Sequence, residues 1–150
     1  MDARQLMQVE VVTVPPDLSL ELAHKVMKER ALRHLPVVSG KKLAGILSER
    51  DVYLAIGRDL NGTFIYPPVT VGQAMSLAPI SAGPGVPVAE LAKTMIDQKI
   101  DALPIIGPQD ELVGLVTSTD LVRLLLMVPS EPRLSMAFQI RRAAELHARA

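Results

Sequence analysis

Gly45–Asp51, "GILSERD", returns in altered form as Gly114–Asp120, "GLVTSTD". In each stretch two apolar residues follow a glycine, a hydroxyl residue comes next, and an aspartate stands three positions beyond it. Ser48-x-x-Asp51 and Thr117-x-x-Asp120 fit a helix N-cap whose side chain bonds the third helical N–H, with a carboxylate reaching back or complementing the positive helix end. The same arrangement brings a hydroxyl, free backbone N–H groups and a carboxylate to one helix N-terminus. Such a terminus suits an anion, and a carboxylate can accept two hydrogen bonds from a vicinal diol. A nucleoside phosphate carries both groups. One motif of this kind reads as a cap, so a ligand-site reading depends on what surrounds the pair.

What surrounds it is a repeat. Leu32–Ile56 aligns with Ile100–Leu125, setting Pro36 against Pro104, Gly45 against Gly114 and Asp51 against Asp120, with one residue inserted in the second turn. Upstream the match runs without gaps, pairing Met7 with Met75, Thr13 with Ser81 and Met27 with Met95, so the repeat covers about residues 6 to 126. Each copy reads alike. Val11–Val14 and Pro79–Ala82 are short extended lead-ins stopped by Pro15-Pro16 and by Gly83-Pro84-Gly85. A helix with one apolar face follows, through Leu22, Ala23, Val26 and Met27 or Leu91, Ala92, Met95 and Ile96. Ser19 is the cap expected for the first, and Pro87 suits the first turn of the second.

Then come a β-hairpin, across Ser39-Gly40 or Gly107-Pro108, and a second helix from about Ser48 or Thr117. The expected fold class is therefore α+β with α/β-type repeats: two β-α-β-β-α units and a C-terminal helix. Each unit alone has under roughly 60 residues, a size at which a core is marginal, so the two are expected to pack together. The expected boundaries are 1–60 and 71–128 for the units, 61–70 for a linker and 129–150 for a helical tail, in which Met136, Ile140 and Ala143 or Ala144 share a face.

Composition narrows the function. Lys plus Arg and Asp plus Glu number 16 each, and no block of like charge occurs, so net charge supplies no pull toward nucleic acid and none is expected as a partner. With no cysteine and three scattered histidines, His24, His34 and His147, neither thiol chemistry nor a metal cluster is expected. No P-loop, nucleophile–base pair or signal-peptide pattern is visible, and the longest apolar run, Leu124–Val128, is far below the roughly 18 to 20 residues that cross a bilayer. The expected setting is the cytoplasm, and the expected activity is not enzymatic. Met7, Met27, Met75 and Met95 read as core fillers, Gly45 and Gly114 as points of close strand packing, and Arg141-Arg142 as a solvated helix face.

The paired pattern, "LPVV…GILSERD" and "LPII…GLVTSTD", each preceded by an amphipathic helix and by "LMQVEVVTV" or "AMSLAPISA", resembles tandem cystathionine-β-synthase (CBS) domains, two of which form a Bateman module. The resemblance implies pseudo-twofold packing, a disc-like homodimer formed through the helices, and two clefts that bind AMP, ADP, ATP or S-adenosylmethionine as regulatory ligands rather than as required cofactors. It also implies that each cleft draws on both copies. One would combine Thr13, Arg33 and His34 with Leu115, Thr117, Thr119 and Asp120, the last on a ribose; the other would combine Ser81, Asp101 and Ala102 with Ile46, Ser48, Arg50 and Asp51. The first is the preferred nucleotide site, since Arg33 and His34 stand where phosphates would lie, whereas Asp101 opposes phosphate in the second. Arg33 and His34 also read as two solvated turn residues between a helix and a strand. The implied function is a sensor that signals to another protein or a second copy; the competing reading is a dimerisation module whose clefts are vestigial.

Overall fold

The computed structural model describes residues 1–127, so the helical tail expected over 129–150 lies outside the described residues. In chain order the elements are α1 (Ala3–Leu6), α2 (Leu20–Arg30), β1 (His34–Ser39), β2 (Lys42–Ser48), α3 (Glu49–Ala55), β3 (Gly57–Arg58), β4 (Phe64–Ile65) and α4 (Val71–Ala74). β5 (Ser76–Leu77), α5 (Val88–Gln98), β6 (Ala102–Ile106), β7 (Leu112–Thr117) and α6 (Ser118–Leu125) complete it. Both long helices start where expected: the Leu22 N–H donates to Ser19 Oγ at 3.3 Å, and Pro87 occupies the N-cap of α5. Both also stop alike. Ala31 and Lys99 take left-handed φ values of 53° and 54° at the C-caps, a conformation that turns the chain sharply into the following strand.

The hairpins are antiparallel and carry equivalent irregularities, between Val37 and Val38 in β1 and between Ile105 and Ile106 in β6. Gly40, at φ 65°, lets the first turn close with Ser39 opposite Lys42. The extra residue of the second copy lengthens its turn, which the Gly107 N–H closes on the Glu111 carbonyl at 2.8 Å. The lead-ins are less regular than full strands: each makes one isolated parallel bridge, Val14 to Val37 and Ala82 to Ile105.

The segments ahead of the lead-ins cross over. β5 adds to the edge of β2, pairing Leu77 with Gly45 and Ser76 with Ile46, so the first sheet has the order β1-β2-β5. Reciprocally, Gln8 bridges Leu115 of β7 through N–H···O bonds of 2.9 and 3.0 Å. The short helices follow suit. Val71, at the start of α4, is buried in the first core with Leu20, Met27, Leu35, Leu47 and Val52; Ala3 of α1 is buried in the second with Leu91, Met95, Leu103, Ile105 and Val116. Each half thus takes a short helix and a backbone pairing along its outer strand from sequence next to the other, β5 in the first half and the single Gln8 bridge in the second, the reciprocal arrangement that a pseudo-twofold relation produces.

The expected linker is partly structured. β3 and β4 form a small hairpin that lays Phe64 and Tyr66 over α2 and α3. There His24 is fully buried, its ring centroid 5.3 Å from Phe64 and 5.4 Å from Tyr53, with Nδ1 2.7 Å from the Tyr66 hydroxyl. Lys28 and Arg58 lie over the Phe64 ring at 4.7 and 4.4 Å from its centroid. In the second half the matching face, between α5 and α6, is an open apolar groove of about 560 Å³ edged by Ile96, Val122 and Leu125, which are 75%, 61% and 71% exposed.

Candidate functional site

Two clefts flank the line where the halves meet, and His34 lines both. Its position follows from the turn after α2: the left-handed residue Ala31 sends Leu32 and Arg33 across the helix end, and β1 begins at His34. Burial pushes the His34 imidazole below the ordinary value of 6.5, with Asp101 opposing that shift, Arg33 reinforcing it, and Asp51 and Glu49 opposing it in turn.

The first cleft, about 320 Å³, joins Arg30, Arg33 and His34 of the first half to Leu115, Thr117, Thr119 and Arg123 of the second, with Gln8 on its wall. β7 and α6 present the threonines because the chain turns there from strand to helix. Thr117 is the N-cap of α6, its N–H and Oγ1–H both donating to Asp120 Oδ2 at 2.8 and 2.6 Å. The Ser118 N–H is used by the Asp101 carbonyl at 2.9 Å. Asp120 itself is buried and heavily engaged. Gln8 Nε2 donates to both of its oxygens, at 2.9 and 3.0 Å, and Arg123 stands 3.5 Å from Oδ1. The three arginines and Thr119 are exposed, so the cleft is cationic toward solvent and its carboxylate is turned inward.

The second cleft, about 430 Å³, gathers Ile46, Ser48, Arg50 and Asp51 of the first half against Asp101 and Ala102 of the second, with Ser76, Ile80 and Lys99 also lining it. Ser48 caps α3 as Thr117 caps α6: its N–H and hydroxyl donate to Asp51 Oδ2 at 2.8 and 2.7 Å, and its Oγ accepts from the Asp51 N–H at 3.1 Å. The carboxylate reaches back to the cap residue in both copies, whereas the side-chain bond to the third helical N–H is made by Ser48 and not by Thr117. Here no protein donor reaches Asp51 Oδ1 among the described residues.

Most of the expected groups come together, and three do not line the cleft expected of them, one being Asp120, which is buried behind Gln8 and Thr117. Thr13 is exposed and lines a separate hollow with Val38, Lys41 and Glu111; Ser81 is exposed and outside the residues that line the second cleft. The cause is the crossing. The lead-ins bridge to β1 and β6, on the far side of each sheet from the borrowed strand, so Gln8 and Ser76 reach the clefts instead. Alignment of Met7 with Met75 already sets Gln8 against Ser76; what local pattern lacked was the partner strand. Arg30, Arg123 and Lys99 were also missed, although each lies one helical turn or less from a residue that was singled out.

Among the described residues no group of three metal-ligating side chains occurs, and no helix is long and apolar enough to cross a membrane. The CBS domain family matches residues 3–58 and 71–127, the two halves just described. An inosine-5'-monophosphate dehydrogenase of Korarchaeum cryptofilum is 40% identical over 111 residues, 74% of this chain, of which the chain spans about a fifth, 21%. A CBS domain-containing protein of Bacillus subtilis, YhcV, is 31% identical over 121 residues, covering 79% of this chain and 81% of that one. In three dimensions the CBS domain pair of protein MJ0100, solved in complex with 5'-methylthioadenosine and S-adenosylmethionine, superposes with a TM-score of 0.71 at 26% identity, over 85% of this chain and 97% of that one. With both repeats matched in sequence and the pair matched in architecture, the chain belongs to the CBS domain family.

Proposed function

We propose that the protein is a cytoplasmic, non-catalytic regulatory module that binds an adenosine-containing ligand, AMP, ADP, ATP or S-adenosylmethionine, between its halves and passes occupancy to a partner protein. The observation that carries this reading is the first cleft, where Arg30, Arg33, Arg123 and His34 face Thr117 and Thr119 beside the carboxylate of Asp120. Three guanidinium groups are suited to a phosphate chain, and Asp120 is suited to a ribose diol. The complex of the MJ0100 pair with two adenosyl ligands supports the same ligand class. A ligand spanning both halves shifts their relative position only so far as it binds one arrangement better than another.

Calorimetric titration of ligand-free protein with AMP, ATP and S-adenosylmethionine tests the reading. Asp120→Asn, which keeps the side-chain shape, is expected to weaken AMP binding at least tenfold, a loss of about 1.4 kcal/mol. Full retained affinity overturns the assignment. The second reading, a dimerisation module with vestigial clefts, draws on the complete engagement of Asp120 by protein donors; it requires that none of the three ligands binds.

The partner surface we assign to a second copy of this chain is the groove between α5 and α6, whose apolar rim has no counterpart of the Phe64 hairpin among the described residues. Val122→Glu, placing a charge on that rim, is expected to shift the sedimentation coefficient from dimer to monomer.

A further inference from the structure

The two clefts treat their aspartates differently. In the second cleft the borrowed strand brings Ser76, which makes no hydrogen bond to Asp51, and Oδ1 of that carboxylate accepts no protein hydrogen bond among the described residues. In the first cleft the equivalent residue is Gln8, whose amide nitrogen holds both oxygens of Asp120 at 2.9 and 3.0 Å. Both oxygens of Asp120 are thus occupied before any ligand arrives, one of them also by two donors of Thr117. A ribose diol needs the same acceptor sites, and a buried carboxylate has few to spare.

We propose that Gln8 is a specificity-determining residue of the first cleft: its amide competes with ribose hydroxyls for Asp120 and biases that cleft toward the phosphate end of its ligand. This rests on the nucleotide reading above. A ribonucleotide entering the cleft gains its contacts to Arg30 and Arg33 without breaking a bond to Asp120, whereas it gains contacts to Asp120 itself only by displacing Gln8. A bare phosphate chain leaves Gln8 in place, even where it draws on Arg123, which stands 3.5 Å from Asp120 Oδ1. The second cleft, with Asp51 open and Asp101 beside Lys99 and Arg50, has the reverse bias, toward the sugar. The asymmetry resides in one side chain, because the Gln8 backbone bonds to Leu115 and the Thr117 cap do not depend on it.

The test is Gln8→Ser, which installs the residue that the other copy carries at this place. AMP, 2',3'-dideoxy-AMP and pyrophosphate are titrated into wild type and variant, with the Thr119 amide resonance reporting occupancy of the first cleft and urea midpoints reporting the fold. Hydrogen bonds to a charged acceptor are among the stronger ones, so AMP is expected to bind the variant roughly ten times or more tightly, while dideoxy-AMP and pyrophosphate are unchanged. Equal AMP affinity in both proteins overturns the competition and leaves the nucleotide reading standing. Weaker binding of all three ligands overturns it too, by making Gln8 a direct ligand contact. Absence of AMP binding to both proteins overturns the nucleotide reading and this inference with it.

Discussion

A methyl group added at Gly45 would collide with Sδ of Met75 and stand 2.7 Å from the carbonyl oxygen of Ser76; at Gly114 the nearest atoms are Sδ and Cγ of Met7 at 2.5 and 2.8 Å, followed by the Gln8 carbonyl oxygen at 3.0 Å. A methionine tip can swing aside, but a carbonyl committed to a strand cannot. Gly45→Ala is therefore expected to destabilise by about 1 to 3 kcal/mol, and Gly114→Ala by less, as read from urea midpoints. Met7→Ala should recover part of the Gly114→Ala loss, whereas Met75→Ala should recover little of the Gly45→Ala loss. Close packing at both glycines was legible from their place in the repeat. The identity of the crowding residues was not, because Met7 and Met75 lie far from those glycines in sequence and read only as core fillers.

Among the elements, the β3–β4 hairpin has the most conditional hold on the body. It closes over His24, whose Nε2 is buried without a hydrogen-bond partner and whose Nδ1 is taken by Tyr66. Burial, reinforced by Lys28 and opposed by Glu49, lowers the His24 pKa from its ordinary 6.5. The groups around it on α2, α3 and the hairpin are Lys28, Glu49, Tyr53, Phe64, Tyr66 and Arg58. The neutral ring is favoured in the folded state, so the unfolded chain takes up the proton first. Stability from this site is complete above pH 6.5 and is lost as pH falls through the depressed folded value. His34 acts in the same direction. Thermal midpoints at pH 7.5 and 5.5 should therefore differ more in wild type than in His24→Leu, which removes one of the two contributions. Equal differences would show that His24 is not the group responsible. Local pattern disclosed the long helices, their caps and the β-hairpins of both copies, for these are set by neighbours a few residues apart. It disclosed only a linker here, because two strands of two residues carry no periodicity and owe their form to α2 beneath them.

At the scale of the whole molecule, the crossing of residues 1–8 and 70–77 between the halves was the part least legible in sequence. The repeat showed that Met7–Gln8 and Met75–Ser76 are equivalent; it did not say which sheet each joins, since both sheets offer a glycine-containing edge of the same pattern. Packing decides it, with Val71 filling the first core and Ala3 the second. The clefts were more readable than the crossing that builds them: most of the motif residues line them, whereas Asp120 is buried behind the first wall and Thr13 and Ser81 lie with the lead-ins, outside the lining of either cleft. Since each core needs a piece from the other side, heat or urea should melt the protein in one transition, with equal calorimetric and van't Hoff enthalpies. Two resolved transitions would contradict this. The crossing also restricts how occupancy can be conveyed. Two lobes on a single tether can gape, but here each lobe is clasped by a backbone pairing and a short helix rooted in the other, and opening would tear backbone bonds on both sides at once. Motion compatible with the clasp is a slide along the shared boundary, so a bound ligand would change what the helix faces present while leaving the outer dimensions of the particle almost as they were.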